Sequence, residues 1–158
     1  MNKLDVRIVT LEPVRVAAFH AFGPEPEHAA WQKLEAWAAP LGYLADTETH
    51  PIFGFNNPNP SPGSPNYGYE FWIVVGAEEE SSAAAPVKEF GGGLYAVTRC
   101  EVGGAPGDTI PATWQELVAW REDSAYRIGN HQWLEKHIPL GDMAVDQFDL
   151  DLYMPIAK

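Results

Sequence analysis

Apolar residues along the first half of the chain change their spacing in a fixed order. Positions 6–23 are rich in valine and isoleucine, which predicts strand structure with Pro13 tolerated only at an edge or a bulge. A helix is predicted after Pro26, because apolar residues then recur at spacings of three and four. The buried side of this helix is predicted to consist of Trp31, Leu34, Trp37, Ala38 and Leu41. Two more strands are predicted near 50–56 and 67–76.

The second half of the chain shows the same order of spacings. A strand is predicted at 92–102, followed by a helix from about 110 to 124 with Thr109 as its N-cap. The apolar side of the helix is predicted to be Trp114, Leu117, Val118 and Trp120. Strands near 131–138 and 147–156 complete this half. Each half is therefore predicted to run strand, helix, strand, strand.

The similarity of the two halves extends to their amino-acid sequences. The phrase "AWQKLEAWA" at 30–38 returns 83 residues later as "TWQELVAWR" at 113–121. The strand "EFWIVV" at 70–75 returns 81 residues later as "DLYMPI" at 151–156. Because nearly equal offsets separate both pairs, the sequence indicates an internal duplication rather than chance matches.

The duplication predicts an α+β fold in one domain spanning 1–158. We expect two β-α-β-β units, at about 1–78 and 86–158, related by a pseudo-twofold axis. In each unit the helix covers one face of an antiparallel sheet and leaves the other face bare, so two units are needed for a stable core. We expect their bare faces to enclose a central cleft, which is a common place for a small ligand.

Strand alternation predicts which side chains line that cleft. In "QWLEKHI" at 132–138, Leu134 is the natural residue to pack under the helix. Trp133, Glu135 and His137 would then point the other way, into the cleft.

The last strand of each half adds an acidic and an aromatic residue to one face. Glu70 and Trp72 in the first half correspond by the repeat to Asp151 and Tyr153 in the second. The remaining predicted lining residues are Phe53 and Phe55. The sequence thus predicts a cleft with aromatic walls and one or more carboxylates.

Such a cleft suits an organic cation. A carboxylate among aromatic rings is poorly solvated and takes up a proton or attracts a cation, and each cation–π contact adds roughly 0.5–2 kcal/mol. Amphipathic, cationic aromatic compounds are the predicted ligands. The alternative is that Glu135 is an ordinary surface acid that pairs with Lys136, Arg99 or Arg127.

Charge and composition exclude several other classes of partner. The 158-residue chain has a formal net charge of −12, which disfavours nucleic acid and anionic membranes. A signal peptide and a long apolar segment are both lacking in the sequence, so a cytoplasmic location is expected. With Cys100 as the one cysteine, neither a disulfide nor a cysteine-based zinc site is expected, and we predict no cofactor or metal. On its strand Cys100 is expected to be a small buried residue.

Over nearly its whole length the chain resembles the GyrI-like small-molecule-binding proteins, which include a DNA-gyrase inhibitory protein and the effector-binding domains of multidrug-responsive and AraC-type regulators. The resemblance rests on five segments in a fixed order. They are "FNNPNPSP" (55–62), "GGLYAVTR" (92–99), "WREDSAYRI" (120–128), "WLEKHI" (133–138) and "FDLDLYMPI" (148–156).

The resemblance implies particular site residues. Glu135 matches the acid that the family holds at the centre of its pocket, and Tyr95 matches a tyrosine that follows a double glycine. His137 stands where the family usually has an aromatic residue. Asp151 and Tyr153 replace the family's Glu-x-aromatic pattern, and the shorter aspartate makes direct ligand contact from this position doubtful.

Three functions remain open from the sequence. The chain shows no helix-turn-helix segment, so the resemblance implies a stand-alone protein that senses or sequesters amphipathic drugs and provides resistance to them. Some similar proteins are hydrolases of cyclopropane-containing DNA-alkylating natural products, and there Glu135 would be the catalytic general acid or base. A contact with DNA gyrase is the third possibility, and a homodimer is compatible with exposed sheet edges.

Overall fold

The computed structural model describes residues 4–103, 106–139 and 148–158. In these residues the chain forms nine β-strands and two α-helices. Their bounds are β1 Val6–Leu11, β2 Val14–Gly23, α1 Pro26–Ala38, β3 Ile52–Asn56, β4 Tyr67–Val75, β5 Val87–Phe90, β6 Gly93–Cys100, α2 Pro106–Glu122, β7 Arg127–Ile128, β8 Leu134–Pro139 and β9 Phe148–Ala157.

The chain divides into two compact units. One is Val14–Phe90, called here the continuous unit, and the other combines 1–13 with 91–158 and is called the split unit. The continuous unit has an antiparallel sheet with strand order β5-β2-β4-β3. The sheet of the split unit has the order β1-β6-β9-β8, with the two-residue β7 also paired to β9. The predicted α+β class is confirmed, and each unit contains the predicted β-α-β-β order.

The strand predicted over 6–23 is two strands that belong to different units. The strand structure is interrupted at Glu12 and Pro13, between β1 and β2. Proline has no N–H to donate to a ladder, so pairing ends there. As a result β1 pairs with β6 in the split unit, and β2 pairs with β4 and β5 in the continuous unit.

Helix α1 packs on the sheet of the continuous unit as its apolar spacing predicts. Trp31 is buried, and its ring meets that of Phe71 on β4 edge to face at 5.4 Å. Trp37 similarly lies 5.6 Å from Phe19 on β2. The prediction for Leu41 was wrong, because the helix ends before it and its side chain is 50% exposed.

Helix α2 covers one face of the split unit's sheet. It begins at Pro106, so Thr109 lies within the helix, where its carbonyl accepts a hydrogen bond from Thr113 Oγ1 at 2.8 Å; the predicted N-cap was wrong. Leu117 is fully buried, and Trp114 packs against the same apolar cluster. The buried members of this cluster are Ala96, Cys100, Val102, Leu117, Leu150, Leu152, Met154 and Ile156.

Candidate functional site

Glu135 and His137 on β8 face helix α2. Glu135 lies opposite Leu152 on β9, and His137 lies opposite Leu150. Paired residues of antiparallel strands share a face of the sheet. Leu150 and Leu152 both belong to the apolar cluster that contacts α2. The two polar residues are therefore on the helix-covered face.

This arrangement reverses one prediction from the sequence. Leu134 does lie on the face opposite to that of Trp133, Glu135 and His137, as alternation predicts. However, Leu134 lies opposite Tyr153, on the face that α2 does not cover. Leu134 is only 1% exposed there. Alternation could not identify the helix side, because apolar residues are buried on both faces of this sheet.

The carboxylate of Glu135 contacts the indole of Trp114, which in turn packs against a second indole, that of Trp133. Glu135 is half-buried, and Trp114 on α2 donates a hydrogen bond from Nε1 to its Oε2 at 3.1 Å. The rings of Trp114 and Trp133 are tilted against each other with centroids 5.4 Å apart. Trp133 remains 37% exposed, so the group borders on solvent. We call Glu135, Trp114 and Trp133 the Glu135 site.

The charge of Glu135 also affects Cys100, a cysteine of the apolar cluster on the same face. Cys100 is 1% exposed, as its position on a strand predicts. Burial raises the pKa of the Cys100 thiol. A hydrogen bond with Thr113 lowers this pKa and the negative charge of Glu135 raises it, and the net change is an increase. Burial and a raised pKa are typical of a cysteine that packs in the core.

His137 is buried deeper on the same face. It is 5% exposed, and its ring stacks on Phe148 with centroids 4.8 Å apart and an interplanar angle of 27°. Burial lowers the pKa of His137 from its ordinary 6.5 to about 4. At neutral pH the ring is uncharged, so it behaves as an aromatic residue and adds no positive charge near Glu135.

The buried histidine gives the fold a specific acid sensitivity. Below pH 6.5 the unfolded chain binds a proton at position 137 that the folded chain accepts only near pH 4. The free energy of unfolding should therefore fall by about 2 kcal/mol from this residue between pH 7 and pH 5. We expect His137→Phe to remove that part of the loss in urea titrations, whereas exposed His28→Phe should leave it. Parallel pH profiles for wild type and His137→Phe would contradict the assignment.

Tyr95 and Tyr153 lie together on the helix-free face of the same sheet. Their rings meet edge to face at 5.4 Å, and the Tyr95 hydroxyl donates to the carbonyl of Gln132 at 2.6 Å. Burial raises the pKa of both phenols. The sheet lies between these tyrosines and Glu135, so the split unit does not bring them into one group with it.

Asp151 shares the helix-free face with Tyr153, as the alternation predicts. Its side chain is 6% exposed and accepts hydrogen bonds from Arg99 Nε at 2.6 Å and from an Arg7 guanidinium nitrogen at 3.1 Å. Two guanidinium groups already neutralise this carboxylate. The sequence left its contact with a ligand doubtful, and its arginine partners strengthen that doubt.

Four predicted site residues form one group on the helix-free face of the continuous unit. Phe53 lies opposite Trp72, and Phe55 lies opposite Glu70. The Phe55 and Trp72 rings meet at 4.8 Å, and Trp72 Nε1 donates to Glu70 Oε2 at 2.6 Å. All four side chains are buried.

Lys88 on β5 completes this group. Its Nζ lies 2.9 Å from Glu70 Oε2 and 5.5 Å from the centroid of the Trp72 ring. Phe90, two residues further along the strand, places its ring 5.1 Å from that of Trp72. Burial raises the pKa of Glu70, but hydrogen bonds from Lys88 and Trp72 outweigh burial and hold the pKa below its ordinary value. We call Glu70, Trp72, Phe55, Phe90 and Lys88 the Glu70 cluster.

Sequence reasoning missed two functional candidates. Helical spacing predicts a core position for Trp114 and gives no sign of its contact with Glu135, although a half-buried indole N–H needs an acceptor and the strand at 131–138 carries an acid. Lys88 was missed because the four-residue β5 was not predicted. Its signal was present in "VKEF", where Lys88 and Phe90 are two apart and share a face.

Residues 4–103, 106–139 and 148–158 contain no group of three or more His, Cys, Asp or Glu side chains placed to hold a metal ion. Neither helix in those ranges has the length and apolar character needed to cross a membrane.

Two β-α-β-β units with antiparallel sheets are the fold of the GyrI-like class of domains. The family model for integron-associated effector-binding proteins, Cass2, matches residues 7–156. The chain belongs to this effector-binding family, which confirms the resemblance seen in the sequence.

Solved structures agree on the fold. The chain is similar to the C-terminal domain of EcmrR, with 13% identity, a TM-score of 0.66 and coverage of 98% of both chains. It is similar to a hydrolase from Listeria innocua, with 11% identity, a TM-score of 0.67 and coverage of 99% and 94%. It is also similar to SAV2435 bound to tetraphenylphosphonium, with 13% identity, a TM-score of 0.55 and coverage of 98% and 94%. Comparison with curated proteins gives no match.

Proposed function

We propose that this protein binds amphipathic, cationic aromatic small molecules at the Glu135 site, in the service of drug sensing, sequestration or resistance. The observation that carries the proposal is the half-buried Glu135 carboxylate, which accepts the Trp114 indole hydrogen bond beside the partly exposed Trp133. The cleft expected between the bare faces of the two halves stays a prediction, but Glu135 and His137 lie on the helix-covered face of their sheet and are no longer among its expected lining residues.

The chemistry of the Glu135 site favours a cation. Trp114 donates a hydrogen bond to the carboxylate and orients it. A bound cation would meet that charge and also the indole faces, each worth roughly 0.5–2 kcal/mol. His137, uncharged at neutral pH, does not oppose a cation. The net charge of −12 concentrates cations around the whole chain.

Two comparisons support this choice. The family is one of effector-binding proteins. SAV2435, which shares the fold, is described as bound to tetraphenylphosphonium, a lipophilic aromatic cation. Together with the aromatic-acid chemistry of the Glu135 site, this favours the cationic aromatic class over neutral or anionic effectors.

A set of ligands with one shape and different charges tests the proposal. Tetraphenylphosphonium and tetraphenylborate are close isosteres of opposite charge, and triphenylphosphine oxide is a neutral analogue. We expect tetraphenylphosphonium to quench tryptophan fluorescence saturably and to bind at least about tenfold more tightly than either, as one cation–π contact plus one screened ion pair predicts. Equal affinities for all three would show that only apolar surface is recognised, and would overturn the proposal.

Hydrolysis is the second candidate. A fold neighbour from Listeria innocua is named as a hydrolase. In this chain Glu135 would serve as general acid or base, and a cyclopropane-containing alkylating natural product would be the substrate. Formation of a ring-opened product that Glu135→Gln abolishes would support this candidate, whereas saturable binding without turnover supports the first. Gyrase contact and homodimer formation stay predictions.

A further inference from the structure

The Glu70 cluster has the chemistry of a site for an organic cation, and an ammonium group of the chain itself is in it. Lys88 Nζ contacts the Glu70 carboxylate at 2.9 Å and the Trp72 ring at 5.5 Å. Phe55 and Phe90 contact the Trp72 ring at 4.8 and 5.1 Å. Charge and an aromatic face are the two elements by which proteins recognise ammonium ligands.

We propose that the Glu70 cluster is a second cation-binding site in which Lys88 acts as an internal competitor, displaced by a small organic ammonium ion. The proposal concerns the continuous unit alone and does not rest on the Glu135 site.

The position of Lys88 allows its side chain to move away from the Glu70 carboxylate. Its side chain is 47% exposed, and it stands on β5, a short strand at the edge of the sheet. Lysine has a flexible stem and a strongly hydrated ammonium group, so the released side chain is stabilised by water. The released position would then expose the face of Trp72 and one carboxylate oxygen.

Glu70 would stay oriented after the lysine leaves. Trp72 Nε1 donates to Oε2 at 2.6 Å, and Asn57 Nδ2 donates to Oε1 at 3.4 Å. The side chain is 8% exposed, so an unpaired charge there is costly and a new cation is strongly favoured over an empty site. Exchange of one cation for another avoids that cost.

The corresponding acid in the split unit shows a different arrangement. Asp151, which matches Glu70 in the repeat, is held by Arg99 at 2.6 Å and Arg7 at 3.1 Å. Planar, weakly hydrated guanidinium groups form more directional carboxylate pairs than an ammonium group does. Of these two repeat-related acids, Glu70 is therefore the one held by the more easily exchanged cation.

Benzyltrimethylammonium is a suitable probe, because it carries a permanent positive charge that aromatic faces recognise and its ring can extend the aromatic contacts. All proteins would carry Glu135→Gln, so that the proposed primary site is disabled. Binding would be followed by the indole N–H resonance of Trp72, assigned by its loss in Trp72→Phe. We expect Lys88→Gln to tighten binding at least about tenfold, because the competitor is gone, and Glu70→Gln added to Lys88→Gln to abolish the gain.

Lys33→Gln is the matched control and should not change the affinity, because Lys33 is an exposed lysine of the same unit whose Nζ donates a hydrogen bond to the carbonyl of His20. Lys88→Met repeats the test with a side chain that keeps the apolar stem. Unchanged or weaker binding by folded Lys88→Gln and Lys88→Met would overturn the proposal, and so would a gain that survives Glu70→Gln. Failure of tetraphenylphosphonium to bind wild type would instead count against the Glu135 site.

Discussion

Glu135→Gln is expected to weaken tetraphenylphosphonium binding about 30- to 100-fold, or roughly 2–3 kcal/mol, because it removes the charge of a half-buried partner. The substitution preserves size, and the amide oxygen can still accept the hydrogen bond from Trp114 Nε1. The fold should therefore be kept. Titration calorimetry on wild type and variant measures the difference directly.

Glu116→Gln is the matched control for this prediction. Glu116 is an exposed acid on α2, so its replacement removes the same charge from the protein without touching the Glu135 carboxylate. We expect at most a twofold effect, since a solvent-exposed charge acts only through the screened field of the protein. Equal losses from both substitutions would reduce the role of Glu135 to one part of the overall negative charge.

Leu117→Ala is expected to lower the free energy of unfolding by about 3 kcal/mol, the usual effect of a large cavity in a core. Leu117 is 0% exposed and is the buried residue through which α2 contributes to the apolar cluster of the split unit. The cavity would open beneath the helix that carries Trp114. Urea unfolding followed by circular dichroism gives the change in stability.

Gln115→Ala controls for helix propensity. Gln115 is exposed on the same helix, and alanine is the better helix former, so its replacement should change stability by less than about 0.5 kcal/mol. A loss in Leu117→Ala no larger than in Gln115→Ala would mean that α2 is not anchored through Leu117.

The duplicated architecture was predictable because two independent signals coincide in each half. The helical spacing around Trp31 and Trp114 and the repeated strand letters both identify the same β-α-β-β order. It was also predictable that Glu70 shares a face of its strand with Trp72, and that Asp151 shares one with Tyr153. Alternation of side chains in a strand is fixed by backbone geometry.

The side on which the helix lies was not predictable from alternation alone. Leu134 is 1% exposed although α2 covers the opposite face of the sheet, so hydrophobicity did not distinguish the two sides of β8. The division at Pro13 was ambiguous for a related reason, because valine and isoleucine continue on both sides of it. The alternation in "VKEF" places Lys88 and Phe90 on one face, but Lys88 reaches Glu70 only through the pairing of β5 with β2, a tertiary contact that this local pattern does not reveal.

In the split unit, strand β1 is synthesised long before the strand with which it pairs. Every strand pair of the continuous unit forms within Val14–Phe90, so its sheet can assemble as soon as that stretch has left the ribosome. Strand β1 is made earlier, yet Val6 must wait for Thr98 to be translated before the two can pair. Closing so long a loop is entropically slow, and the opening strand of the chain is therefore among the later ones to find its partner.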